Sequence, residues 1–204
     1  MANILRLYAE PPSKFGFERV KKRKKREVTP KGQLNLFSSR AGHVVQLPVD
    51  LSPFEEALLL DERSDGRASE LYWEAISQGD SAADAYCNLG ILESQGGKAI
   101  RAFDCFTNSL KLDPRHFESH FNLANLYFDA GDMRQARLHY ELAAELEPNF
   151  PNIYFNLGLV HAMSEDFKNA LRALRKYKRL APVEEGHKAD RLLASLEGSM
   201  TAKH

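Results

Sequence analysis

Ala68, Ala102, Ala136 and Ala170 stand thirty-four residues apart, and other positions keep the same step: Tyr72, Phe106, Tyr140 and Leu174; Ala75, Ser109, Ala143 and Tyr177; Asp80, Pro114, Pro148 and Pro182. Ahead of them run Asn88-Leu89-Gly90, Asn122-Leu123-Ala124 and Asn156-Leu157-Gly158. A period in the mid-thirties marks a helical solenoid, in which one helix pair cannot bury its own apolar face and must stack on its neighbours. Such a chain offers a surface for function rather than a catalytic pocket.

The residue types at these positions fit that packing. Gly90, Ala124 and Gly158 let the two helices of a unit approach closely, with Ala102, Ala136 and Ala170 opposite, while Phe106 and Tyr140 fill the gap between units. Gly96-Gly97 and Gly131-Asp132 break the chain between helices, Asp113-Pro114 and Glu147-Pro148 end units, and one unit turns on Glu165-Asp166 without a glycine. This pattern resembles the tetratricopeptide repeat over about residues 49–182. The resemblance implies an all-α tetratricopeptide-repeat solenoid of three clear helix pairs, 83–116, 117–150 and 151–182, after a degenerate first repeat at about 49–82. In that first unit Ser52 is a cap and Pro53 sits at the first helical turn. Beyond it, Ala189, Leu192, Leu193 and Leu196 recur at helical spacing within 183–198, as a C-terminal capping helix requires.

The overall charge of zero hides an asymmetry, since residues 1–48 hold eleven Lys or Arg against three acids and the remainder carries the compensating acidic excess. Arg19 to Arg26 reads RVKKRKKR, and charge this dense disfavours compaction, so 1–48 is expected to be a basic, largely disordered extension. Lys21, Lys22, Arg23, Lys24, Lys25 and Arg26 are candidates for contact with nucleic-acid phosphate, for a nuclear import signal, or for docking on the acidic solenoid. With no aromatics interleaved, base-specific readout has no support. No apolar run is long enough to span a membrane, and MANILRLYAEPPS lacks the apolar core of a secretory signal. The two cysteines, Cys87 and Cys105, show no metal-ligand spacing and read as small buried thiols of a cytoplasmic protein.

Next to the basic run, Gln33, Leu34, Asn35, Leu36 and Phe37 resemble the QLxLF-type motif with which bacterial polymerases and repair proteins dock onto the replicative sliding clamp. Gln33 matches its polar anchor and Leu34, Leu36 and Phe37 its apolar plugs. Packing of the same residues on the first helix pair is the competing reading.

Asn88, Asn122 and Asn156 hold one register position in three successive first helices, which line the concave face in the tetratricopeptide family. An asparagine amide both donates and accepts, so a ladder of them can hold an extended peptide by its backbone. Ile91, Phe121, Asn125, Phe128, Phe155, Leu159 and Met163 lie adjacent or one turn away and make the expected groove apolar and aromatic. The alternative is that these asparagines stabilise the repeat itself. Asp84, Glu118 and Asp129 on the inner faces argue against a cationic clamp for an acidic C-terminus. His116 and His120 lack a third ligand, and neither a phosphate-binding Gly-rich loop nor a nucleophile elbow occurs, so neither catalysis nor a cofactor or metal is expected. Two classes remain: a non-catalytic adaptor that captures a protein partner in its groove, or a nucleic-acid-associated factor whose arm engages DNA, RNA or the clamp while the repeats recruit a partner.

Overall fold

The computed structural model describes residues 13–21 and 51–201, with side chains described as far as Gly198. Helices follow as α1 (Pro53–Glu62), α2 (Ala68–Gln78), α3 (Ala82–Gln95), α4 (Ala99–Leu112), α5 (Phe117–Asp129), α6 (Met133–Leu146), α7 (Pro151–Met163), α8 (Phe167–Leu180), α9 (Val183–Gly186), a 3-10 turn at His187–Ala189, and α10 (Asp190–Thr201). Each helix packs on the next, so α1·α2, α3·α4, α5·α6 and α7·α8 stack as antiparallel pairs and α10 closes on α8. The described residues are all-α, with no strand among them.

Local chemistry sets the helix ends. Ser52 and Glu55 form a reciprocal capping box at α1, whose first turn carries Pro53. Asp132 and Asp166 accept from Gln135 N and Asn169 N and so cap α6 and α8. Asp80, where later units carry proline, accepts from Phe54 N at 2.9 Å and ties the end of α2 to the start of α1. The turns before α4, α6 and α8 take left-handed backbone at Gly97, Gly131 and Glu165, one repeat step apart, with φ of 73°, 80° and 59°. Glu165 therefore bears a strain that the two glycines escape.

Helix approach is as tight as the small residues permit. A Cβ on Gly90 would lie 2.7 Å from the Phe106 ring, and one on Gly158 would lie 2.6 Å from Leu174 Cγ. In α4, Ala102, Cys105, Phe106 and Ser109 are buried at i, i+3, i+4 and i+7, one helical stripe. Helix α7 instead is buried continuously from Ile153 to Ala162, since neighbours cover it on several sides. The capping segment is not one helix over 183–198. The chain turns through α9 and the 3-10 turn, where Tyr177 Oη donates to Glu185 O at 2.9 Å, before α10 buries Leu192 and Leu196.

Residues 13–21 are the described part of the span expected to be a largely disordered extension. They lie extended along the inner helices, and the physical reason is a set of hydrogen bonds to their backbone together with burial of their apolar side chains. Val20 joins the core built from the first two helix pairs, Phe17 packs on that same core, and Phe15 packs on the core of the last two pairs.

Candidate functional site: an asparagine ladder with an occupied groove

Asn156 accepts from Phe15 N at 2.8 Å and donates to Phe15 O at 3.2 Å. Asn122 accepts from Glu18 N at 2.7 Å and donates to Glu18 O at 2.8 Å. Asn88 accepts from Val20 N at 2.9 Å and donates to Val20 O at 3.1 Å. Each amide thus closes a two-bond ring with a single residue, as a neighbouring β-strand would, and Asn125 adds a bond to Gly16 O at 2.9 Å. The segment runs from α7 back to α3, opposite to the order of the repeats.

The four asparagines are fully buried, so each amide group left without a partner would cost about 1–3 kcal/mol. Their orientation is fixed from behind. Asn88 Nδ2 donates to Tyr72 Oη at 3.2 Å and Tyr72 Oη donates to Asp61 at 3.0 Å. Asn156 Nδ2 donates to Tyr140 Oη at 3.1 Å, and Tyr140 Oη donates to Asn125. Between them the repeat carries Phe106, which has no hydroxyl, and Asn122 Nδ2 uses the Cys87 sulfur at 3.4 Å instead. Burial pushes the Cys87 thiol up to about 12 and also raises the Tyr140 phenol, so both stay neutral in this network.

Side chains of the segment fill specific places. Phe15 sits edge-on to Phe155 at 5.1 Å between ring centroids, 5.8 Å from Tyr177, with Lys188 Nζ 4.6 Å from its centroid. Phe17 stacks on Phe106 at 6.0 Å. Lys14 lies near the Phe17 and Phe128 rings and pairs with Asp129 at 3.2 Å. Arg19 pairs with Asp61, whose side chain is 3% exposed. Asn88, Tyr72, Asp61 and Arg19 therefore form one network that begins at the backbone of Val20 and returns to the side chain of its neighbour. Glu18 is less well served: burial, above all, raises its pKa, Lys21 opposes that, and Glu118 adds to it.

Of the groove residues expected from sequence, Asn88, Asn122, Asn125, Asn156, Phe128 and Phe155 meet the segment. Phe121 does not line the groove. One residue ahead of Asn122, it is turned roughly 100° around the helix and packs on Phe117, Tyr140 and Phe150. Ile91 and Leu159 are buried in the two cores, at 1% and 3% exposure. Phe106, Tyr177 and Asp61 escaped sequence reasoning, as did the hydroxyls of Tyr72 and Tyr140, whose one signal is tyrosine sixteen residues before an asparagine. Lys21 is exposed at the end of the described segment, whereas Lys22, Arg23, Lys24, Lys25, Arg26 and the candidate motif Gln33, Leu34, Leu36, Phe37 lie outside the described residues.

His116 and His120 are engaged in capping and packing contacts. His116 Nδ1 accepts from Ser119 N and caps α5, with Asp84 2.8 Å from its Nε2. His120 faces His139 at 3.1 Å between Nδ1 atoms, and its Nε2 lies 3.0 Å from Pro114 O. Among the described residues no three His, Cys, Asp or Glu converge for a metal, and no helix is long and apolar enough to cross a membrane.

Family profiles described as TPR repeat and Tetratricopeptide repeat match residues 124–164 and 105–137. The chain carries tetratricopeptide repeats. Over 148 residues it is 23% identical to anaphase-promoting complex subunit 3 of Schizosaccharomyces pombe, covering 67% of this chain and 22% of that one. It is 31% identical over 97 residues to tetratricopeptide repeat protein 8 of Mus musculus, covering 48% and 19%. The chain spans about a fifth of the length of these relatives. Its fold is similar to the first tetratricopeptide domain of Spaghetti (RPAP3), solved with an HSP90 peptide, at a TM-score of 0.55 and 21% identity over 58% of this chain and 93% of that one.

Proposed function

We propose that this tetratricopeptide protein is a non-catalytic adaptor, acting in the cytoplasm, whose concave groove captures an extended segment of a partner protein by its backbone. The observation that carries this reading is the ladder itself: Asn88, Asn122 and Asn156 each hold both the N–H and the C=O of one residue. Backbone capture of this kind works for any extended peptide whose side chains fit the flanking pockets. The likeness to a domain solved with a bound peptide supports a peptide as the class of ligand. An acidic peptide such as that neighbour's SRMEEVD is a poor match here, because Asp61 and Asp129 face the cations of the groove's occupant.

The test is a displayed library of extended peptides selected in parallel on the full wild-type chain and on the Asn122→Ala/Asn156→Ala variant. Peptides enriched on the wild type and lost on the variant, with the helical circular-dichroism signal and melting retained, are the expected result. Melting that collapses in the variant would assign the asparagines to the repeat's own stability and sink the proposal.

A further inference from the structure

The groove is filled by this chain's own residues 14–20, KFGFERV, and the way it is filled defines what else fits. At one end the Asp61 carboxylate is buried, and its partners are the Tyr72 hydroxyl and Arg19. An occupant without a cation at that point would leave a buried carboxylate short of its counter-ion, which is strongly disfavoured. At the other end Phe15 occupies an aromatic slot made by Phe155 and Tyr177, with an ammonium over its ring. Phe17 covers Phe106, and Val20 is 1% exposed.

Other positions are undemanding. A Cβ on Gly16 would meet nothing within 4 Å. Lys14 pairs with an Asp129 side chain that is 55% exposed, a weak contact in solvent. Position 18 is gripped through its backbone by Asn122, while its partly buried carboxylate is penalised chiefly by desolvation, with Lys21 favouring its charge and Glu118 opposing it. The resident segment is thus a good but improvable ligand, joined covalently to the solenoid through residues 22–50.

We propose that residues 14–20 are a displaceable stand-in, and that the groove's partner is an extended segment bearing an aromatic, any residue, an aromatic, a neutral residue, an arginine and an aliphatic in that order. This rests on the backbone-capture reading and adds side-chain specificity and self-competition to it. A tethered competitor acts at an effective concentration of about 1 mM, so a resident segment of about 10–100 µM intrinsic affinity masks the groove from any free ligand by about 10–100-fold.

The experiment uses fluorescent SKFGFERVK and the full chain carrying Phe15→Ala and Arg19→Ala in its own segment. That chain binds the peptide about 10–100-fold more tightly than wild type does. Glu18→Gln in the peptide tightens binding several-fold, and Arg19→Glu in the peptide weakens it by more than tenfold. Equal binding of a scrambled peptide overturns the specificity and leaves backbone capture standing. Binding that survives Asn122→Ala/Asn156→Ala in the same chain defeats backbone capture as well. No binding of SKFGFERVK to the weakened chain overturns the inference, and a concentration-dependent dimer of wild type makes the occupant a second copy and overturns a foreign partner. Should the weakened chain fail to fold, amide exchange on wild type decides: Glu18 and Val20 exchanging faster than Phe121 supports displacement, and equal protection overturns it.

Discussion

Arg19→Ala is the sharpest probe of the occupied groove, because the pair it breaks is unequally buried. The Asp61 side chain is 3% exposed and that of Arg19 is 33% exposed. Removing one member of a buried pair costs about 3–5 kcal/mol when the remaining charge stays trapped. Two features lower that figure here: Asp61 keeps the Tyr72 hydroxyl at 3.0 Å, and the segment can leave so that water reaches the carboxylate. The loss is therefore capped at the docking free energy of the segment, and the expected effect is about 2–3 kcal/mol on local opening. Asp61→Asn should cost less, about 1 kcal/mol, since the partly exposed Arg19 side chain can turn to solvent and the amide still accepts from Tyr72. The assay is amide exchange at Glu18 and Val20, whose N–H groups donate to Asn122 and Asn88. Exchange should quicken by about 30–150-fold in Arg19→Ala while amides of α5 stay protected. Arg19→Ala/Asp61→Asn should recover at least about 1 kcal/mol relative to the sum of the single changes. Additive effects, or equal effects of the two single substitutions, would refute the unequal-burial reasoning.

Glu165→Gly should stabilise the chain by about 0.5–1 kcal/mol, because relief of the left-handed strain exceeds the added freedom of the unfolded chain; a thermal melt should move up by about 2 °C, and no rise would contradict it. Gly158→Ala should destabilise by about 1–2 kcal/mol despite better helix propensity, since its Cβ would lie 2.6 Å from Leu174 Cγ. In a Leu174→Ala background the same change should be neutral or better by urea denaturation, and a loss of similar size in both backgrounds would show that contact irrelevant. His139 is pushed down to about 4 by burial, with His120 adding to the effect. Being depressed below its unfolded value of about 6.5, it contributes stability that is complete above pH 6.5 and lost as pH falls toward 4. Partial exposure reduces the full shift to about 1–2 kcal/mol, and His139→Gln should flatten the melting-temperature profile over that window; parallel profiles would contradict this.

The repeat was legible because packing demands recur with it: a small residue at Gly90 or Gly158 is required wherever Phe106 or Leu174 presses on the facing helix. The asparagine rows were legible for the same reason, as one register position on successive inner helices. The occupant was not. Residues 13–21 share no period with the repeats, and a ladder that grips backbone imposes little pattern on what it grips. Composition pointed the other way, since the basic run beginning at Arg19 argues for a solvated arm, yet Arg19 itself is drawn in by one buried carboxylate. Phe121 was misplaced because adjacency in sequence is a quarter-turn on a helix. The roles of Tyr72 and Tyr140 were hidden by their aromatic bodies, which satisfy the packing pattern equally well without the hydroxyl.

Three asparagines at equal sequence steps do not hold residues at equal steps. Asn88 to Asn122 corresponds to Val20 to Glu18, and Asn122 to Asn156 corresponds to Glu18 to Phe15. In extended chain these are advances of about 6.6 and 10 Å at about 3.3 Å per residue. The longer advance is where Asn125 comes in and takes Gly16 O, at the point where Tyr140 Oη and Asn156 Nδ2 also converge on its side-chain oxygen. The register of the segment is thus set on the inner helices by one extra asparagine, present in α5 and replaced by Ile91 and Leu159 at the same position of α3 and α7. Moving an occupant by one residue would direct side chains at amides built for backbone, so the groove fixes both direction and frame. On the proposed reading, specificity then resides in a cation and two aromatics while most of the grip ignores sequence.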